Sequence, residues 1–409
     1  MNIENFDIHD VRGRYHKLLV SFNGVVVGLP YVGQLLVSSA IQGGVCHFLA
    51  EGVPGIGKTR SIEAMARLIG GRFEIIQFTP DLMPKDIIGI EYPDKKTGEF
   101  KIKWGKIAFA NLILGDEINR GDTRTQSALL SPMSEGRVTI EASNVAGEEA
   151  TKWLHPVNVF MCTQNPIEQE GTNPLPEAQH DRFLYKVIYD YPSRSDEEYL
   201  MEHPELADRE ILDTLRPIVS LDEIVETRKW VKSNMVVSKH FRDYALTVIR
   251  ATRPGTPEFV DLYQRYPQIR PILDSIKTGI SVRANMALLR ACQVRGFLYG
   301  TNEDKKSPRN FVMPEDLKSL AHSTMRHRIL TKEEAAYRTN KGDADKRWAG
   351  EYPTDGTITR EQVVHRLNRP GKSPITSDHV IDALITHIDH TNDSSLYSTG
   401  NGAVVESNG

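Results

Sequence analysis

Gly52-Val53-Pro54-Gly55-Ile56-Gly57-Lys58-Thr59 is a complete GxxxxGK[ST] phosphate loop, and the segments on either side of it read as strand and helix. Val45 to Ala50 is an apolar run of strand length, and Arg60 to Leu68 carries helical spacing. Strand, glycine-rich turn and helix in that order are what the motif needs. The glycines let backbone N–H groups curl around a phosphate at a helix N-terminus, which favours anions. Lys58 brings charge to the β- and γ-phosphate oxygens, and the Thr59 hydroxyl is a Mg²⁺ ligand. The stretch predicts an α/β fold whose cofactors are ATP and Mg²⁺, held by Gly52, Pro54, Gly55, Ile56, Gly57, Lys58, Thr59 and Arg60.

Working outward, Phe73 to Phe78, Leu112 to Gly115, Val157 to Thr163 and Phe183 to Ile188 are further strand-length runs rich in Ile, Val, Phe and Leu. They alternate with helical patterns such as Arg124 to Met133, and that alternation predicts a parallel sheet covered on both faces. Ligands gather at the C-terminal ends of strands in such sheets. Asp116 and Glu117 follow the third strand: Asp116 is placed to hold Mg²⁺ and Glu117 to polarise an attacking water. Asn165 follows the fourth strand, where an amide reaches a γ-phosphate or the lytic water; an Asn-Pro turn is the plainer reading. Arg182 ends a short helix begun by Pro174 and Pro176, just before the fifth strand, and by itself is equally a surface ion-pair residue.

Past Tyr191-Pro192-Ser193 the strand signal stops, and Ser195 to Ala251 and Val282 to Tyr299 read as helical, as does a segment from Pro314 to Leu330. The expected organisation is an α/β nucleotide-binding core over 1–192, a helical lid over 193–330, and a polar connector, short helices and tail over 331–409. The short helices fall at Arg360 to Leu367 and Ser377 to Ile388, and the tail begins at Asp389. Leu18 to Ala50 contains no charged residue, yet Asn23, Pro30, Gln34, Ser38, Ser39, Gln42 and five glycines leave no apolar run long enough for a membrane span.

Composition bounds the function. In 409 residues, 50 Lys+Arg against 54 Asp+Glu give a net charge of -4, so no overall basic field draws the chain to nucleic acid; a local basic groove stays open. Cys46, Cys162 and Cys292 lie far apart without metal or redox spacing, which fits buried thiols in a reducing cytoplasm. The polar, acidic start Met1-Asn2-Ile3-Glu4 is unlike a secretory signal.

Four motifs in order carry a family likeness: the phosphate loop; Asp116-Glu117-Ile118-Asn119-Arg120; Thr163-Gln164-Asn165-Pro166-Ile167-Glu168-Gln169-Glu170-Gly171-Thr172; and Pro174-Leu175-Pro176-Glu177-Ala178-Gln179-His180-Asp181-Arg182-Phe183-Leu184. From about Val26 to Leu330 the chain resembles the MoxR family of AAA+ ATPases. The resemblance implies a P-loop core with a five-stranded parallel sheet, an all-helical lid, and an ATP-driven ring, commonly a hexamer. It makes Lys58 and Thr59 Walker A, Asp116 and Glu117 Walker B, Asn165 sensor 1, Arg182 the arginine finger acting in a neighbouring subunit, and Arg283 sensor 2. Val26, Val27 and Gly28 fall where the family's adenine pocket begins, and Arg120 matches an arginine near the subunit boundary. Ser281-Val282-Arg283 departs from the family's usual Ser-Pro-Arg, so the turn before the lid helix is open to differ. Residues 79–103, with Asp81 to Gly89 and the turn-like Asp94 to Glu99, resemble the helix-2 insert, a hairpin that faces the ring pore in relatives; an ordinary surface hairpin is the plainer reading.

The function implied is an ATP-hydrolysing remodeller of protein clients, with a protein partner that carries a von Willebrand factor A domain. A nucleic-acid motor of the same insert class and a magnesium-chelatase-like subunit are the alternatives. The acid balance, and the absence of zinc-site spacing, a winged-helix signal or a long basic run, weigh against the motor. A non-hydrolysing scaffold would lack the carboxylate that Glu117 supplies.

Overall fold

The computed structural model describes residues 7–44, 46–140, 150–164, 173, 175–301, 308–332 and 375–388. Five strands make the central sheet: β1 Phe48–Glu51, β2 Phe73–Gln77, β3 Leu112–Asp116, β4 Val159–Gln164 and β5 Tyr185–Ile188. They are parallel and lie in the order β2-β3-β4-β1-β5. Ala50 pairs with Thr163, Gln77 with Asp116 and Ile188 with Glu51, so the C-terminal ends form one row beside the phosphate loop.

The strand runs are apolar throughout because the sheet has a core on each side, and successive side chains take opposite faces. Leu112, Leu114, Val159 and Met161 join one core with Ile62 and Met65 of the helix Lys58–Leu68. Ile113, Phe160 and Cys162 join the other with Leu129, Leu130 and Met133 of the helix Thr123–Glu135. The two edge strands are the exceptions: in β2 Ile76 is buried while Ile75 is exposed, and in β5 Tyr185 and Val187 are buried while Ile188 is exposed, as one covered face requires.

The charge-free stretch noted in the sequence has a packing cause. The helix Pro30–Gln42 is wedged among the helices Ile8–Asn23, Lys58–Leu68, Leu221–Asn234 and Val282–Tyr299, so that from Val32 to Gln42 every residue but Gln34 is buried. Among the described residues no helix is long and apolar enough to cross a membrane.

After β5 the chain is helical, with Leu221–Asn234, Lys239–Arg250, Val282–Tyr299 and Pro314–Met325 sharing the first core. Two details differ from the expected all-helical lid. The helix from Pro314 ends at Met325 and not at Leu330, and Leu330–Thr331 pairs antiparallel with Ile276–Thr278. The cause is tertiary: His327 and Arg328 turn to bond the Phe183 carbonyl, which pulls the chain off the helix axis. The helix Ser377–His387 buries Val380, Ile381, Ala383 and Leu384 against the lid, and Arg326–Asp378 and His322–Asp382 contacts of 3.1 and 3.0 Å flank it. Arg360 to Leu367 and the tail from Asp389 lie outside the described residues.

Within residues 79–103 a helix, Pro84–Ile88, is followed by an antiparallel hairpin of Gly89–Pro93 with Phe100–Trp104. A second hairpin, Arg137–Thr139 with Thr151–Trp153, was not expected; strands of three residues leave too little alternation to read.

Candidate nucleotide site

The phosphate loop leaves β1 and enters the helix Lys58–Leu68 directly. Gly55 and Gly57 have φ of 84° and 86°, a left-handed backbone that glycine adopts without steric cost, and Gly57 caps the helix. At Gly52 the constraint is space: a Cβ would stand 2.4 Å from the Tyr189 carbonyl oxygen at the end of β5. The first-turn N–H groups of the helix have no partner within it and open onto the loop. Lys58 Nζ donates to the Gly52 carbonyl at 2.6 Å, so the ammonium sits over the loop's own backbone.

Asp116 ends β3, and Glu117 follows at φ 55° and ψ 47°, the one non-glycine left-handed residue among those described. Such strain persists where surrounding contacts enforce it. Those contacts are visible. The Thr163 hydroxyl on β4 donates to Asp116 Oδ1 at 2.6 Å and accepts from the Glu117 N–H at 2.8 Å. Gln77 Nε2, at the end of β2, donates to Glu117 Oε2 at 3.4 Å, and Arg120 Nη1 lies 3.0 Å from the same oxygen. Thr163, Gln77 and the Arg120 pairing were not read from the sequence, because register and not a motif places them there. Asn165 lies outside the described residues.

Val26, Val27 and Gly28 line a cleft of ≈ 480 Å³ with Asn23, Pro30, Asp196 and Tyr199. Leu29, between Gly28 and Pro30, lies beside the loop: a Cβ on Gly57 would meet its Cδ1 at 3.7 Å. The Asp196 carboxylate caps its own helix through Ser193, with Ser193 Oγ at 2.7 Å. Arg60 takes a supporting position, its guanidinium donating to the Val25 carbonyl at 2.8 Å and to the Ala207 and Asp208 carbonyls at 3.4 and 3.3 Å.

The two arginines stand elsewhere. Arg182 precedes β5, whose first residue Tyr185 pairs with Phe48, so it lies at the N-terminal end of the strands, roughly 13 Å of strand rise from the loop end. Arg283 is exposed at the start of the helix Val282–Tyr299, and Ser281 before it donates to both Asp181 carboxylate oxygens at 3.0 Å. Arg182 and Arg283 thus leave from adjoining turns.

The donor set fits a nucleoside triphosphate with a hard divalent cation: an ammonium, a glycine nest, a hydroxyl and one carboxylate. Among the described residues no cluster of three or more His, Cys, Asp or Glu would hold a metal ion.

Known proteins agree with this geometry. Residues 47–185 match the model of the ATPase family associated with various cellular activities (AAA), and residues 273–346 match the AAA lid domain. The chain is 33% identical to Chaperone MoxR1 of Mycobacterium tuberculosis, over 75% of this chain and 73% of that protein. The chain belongs to the MoxR family of AAA ATPases.

Other likenesses extend over most of the chain. An uncharacterized protein YeaC of Bacillus subtilis is 34% identical over 83% of this chain and 92% of its own length. Protein MoxR of Paracoccus denitrificans is 28% identical over 79% and 91%. A crystal structure of a candidate ATPase from Cytophaga hutchinsonii superposes with a TM-score of 0.67 at 30% identity, over 88% of this chain and 94% of that one. The AAA match spans Lys58, Asp116, Glu117 and Arg182, and the lid match spans Arg283.

Proposed function

We propose that this MoxR-family chain hydrolyses ATP at a site completed by a neighbouring copy in a ring, commonly six subunits, and uses the cycle to remodel protein clients. The observation that carries it is the carboxylate pair: Asp116 and Glu117 are presented by one strand end and fixed by one hydroxyl, beside a complete phosphate loop. ATP with Mg²⁺ would supply the phosphoanhydride and the cation that offsets its charge. The loop N–H groups and Lys58 hold the β- and γ-phosphates, and Thr59 and Asp116 supply oxygen ligands to the cation. Glu117 accepts the proton of the attacking water while Thr163, Gln77 and Arg120 hold its backbone and carboxylate in place. Asn165 is assigned to the γ-phosphate side, and the Val26–Gly28 cleft to adenine.

Arg182 and Arg283 lie together at the strand end away from their own phosphate loop, which supports both working in the neighbour's site. The insert hairpin, with Tyr92 and Phe100 exposed, is the surface offered to a client, and the chaperone name of the mycobacterial relative supports a protein client over nucleic acid. The expected partner carries a von Willebrand factor A domain, and the expected compartment is the cytoplasm. The division into a core of 1–192, a lid of 193–330 and a C-terminal segment of 331–409 belongs to this proposal; the helix Ser377–His387 packs with the lid.

Mixing Lys58→Ala chains with Arg182→Ala chains tests the shared site. Each alone is expected to keep only a small residual rate, and verified mixed rings are expected to recover part of the hydrolysis. Absence of rescue in such rings would overturn the reading.

A further inference from the structure

Asp181 sits between the turns that carry Arg182 and Arg283, and nothing in the nucleotide chemistry itself requires it. Its carboxylate accepts the Ser281 hydroxyl at 3.0 Å on each oxygen, and Arg328 Nε lies 3.1 Å from Oδ1. Ser281 accepts the Ala284 N–H at 3.3 Å with the same oxygen, so it caps the helix that begins with Arg283 while it holds Asp181. Arg328 is 4% exposed and donates to the carbonyls of Phe183 and Leu184, the two residues after Arg182. His327 Nε2 meets the Phe183 carbonyl at 2.8 Å. The turn that carries Arg182 is thereby held by the lid from two sides: by the start of the helix Val282–Tyr299, and by the segment after the helix Pro314–Met325.

We propose that Asp181 is a positioning residue that locks Arg182 and Arg283 into one rigid unit, so that a movement of the lid moves both guanidiniums toward or away from a neighbour's phosphates together. Arg283 is exposed and Arg182 half-buried, while Asp181 takes up the Ser281 hydroxyl and the buried Arg328 guanidinium. Burial pulls the Arg328 guanidinium below its usual value, and the Asp181 carboxylate opposes that shift. The inference rests on the proposed trans role of Arg182 and Arg283.

A double-mutant cycle on the full-length chain, read by single-turnover ATP hydrolysis and by nucleotide affinity, tests it. Asp181→Asn is expected to lower the hydrolysis rate at least about tenfold with nucleotide affinity changed less than about threefold. In an Arg182→Ala background the same change is expected to add less than about a twofold loss, because the group it positions is gone. Ser281→Ala is expected to behave likewise against Arg283→Ala, and Ser281→Thr, which keeps the hydroxyl, to recover most of the loss. If Asp181→Asn lowers thermal stability, the Ser281 pair still reads the coupling. Equal losses with and without Arg182 would overturn the positioning role and leave the shared site standing. An Arg182→Ala chain that hydrolyses ATP at the unaltered rate would instead overturn the trans assignment on which the inference rests.

Discussion

The Thr163 hydroxyl donates to Asp116 Oδ1 at 2.6 Å while it accepts from the Glu117 N–H at 2.8 Å, so one side chain on β4 aligns both carboxylates at the end of β3. It is fully buried, and its bonds join two neighbouring strands. That arrangement explains how Glu117 is kept at a left-handed φ of 55°.

Thr163→Val keeps the shape but leaves an unpaired carboxylate oxygen and an unpaired N–H. A bond to a charged group is worth about 1.5–3 kcal/mol, which corresponds to a rate loss of about 10- to 100-fold if Glu117 depends on it. Phosphate release should fall by that amount, Thr163→Ser should retain most of it, and an unchanged rate in Thr163→Val would contradict the assignment.

Stability should fall on the acid side through buried histidines. His47 accepts the Phe160 N–H on Nδ1 and meets the Met133 carbonyl with Nε2, so the neutral ring satisfies both and a second proton has no acceptor. Burial pushes it down to about 4. His327 is lowered as well, chiefly by burial. For a folded value below the unfolded one, the contribution is complete above the unfolded value of 6.5 and is lost as pH falls through about 4. For His47 alone the loss reaches about 3 kcal/mol at most. Urea unfolding at pH 7.5 and 5.5 should show a lower midpoint at pH 5.5, and equal midpoints would argue against neutral buried rings.

The helix Ser377–His387 should act as part of the lid. Leu384 is fully buried, so Leu384→Ala should cost about 2–5 kcal/mol, and a chain ending before residue 375 should melt at a lower temperature. A melting curve unmoved by either change would show that the helix contributes nothing to the fold.

The sheet was legible because its central strands are buried on both faces and need continuous apolar runs; the start of β1 is displaced only from Val45 to Phe48. The phosphate loop and the Asp116-Glu117 pair were legible because local sequence builds them. Contacts between distant segments were not. Gln77 and Thr163 reach the carboxylates through strand register, and Asp196 and Tyr199 enter the cleft lined by Val26, Val27 and Gly28 from the first helix after β5. Leu330 read as the end of a helix because its apolar spacing is helical, whereas the clamp of His327 and Arg328 on Phe183 decides its backbone.

The most direct measurement compares ATP binding and phosphate release in Lys58→Ala and Glu117→Gln chains. Removing the ammonium takes away phosphate binding, whereas the amide keeps shape and cation site but cannot take a proton from water. Lys58→Ala should bind ATP weakly; Glu117→Gln should bind it as the unaltered chain does and hydrolyse it at least about 100-fold more slowly. Near-normal hydrolysis by Glu117→Gln would contradict the account.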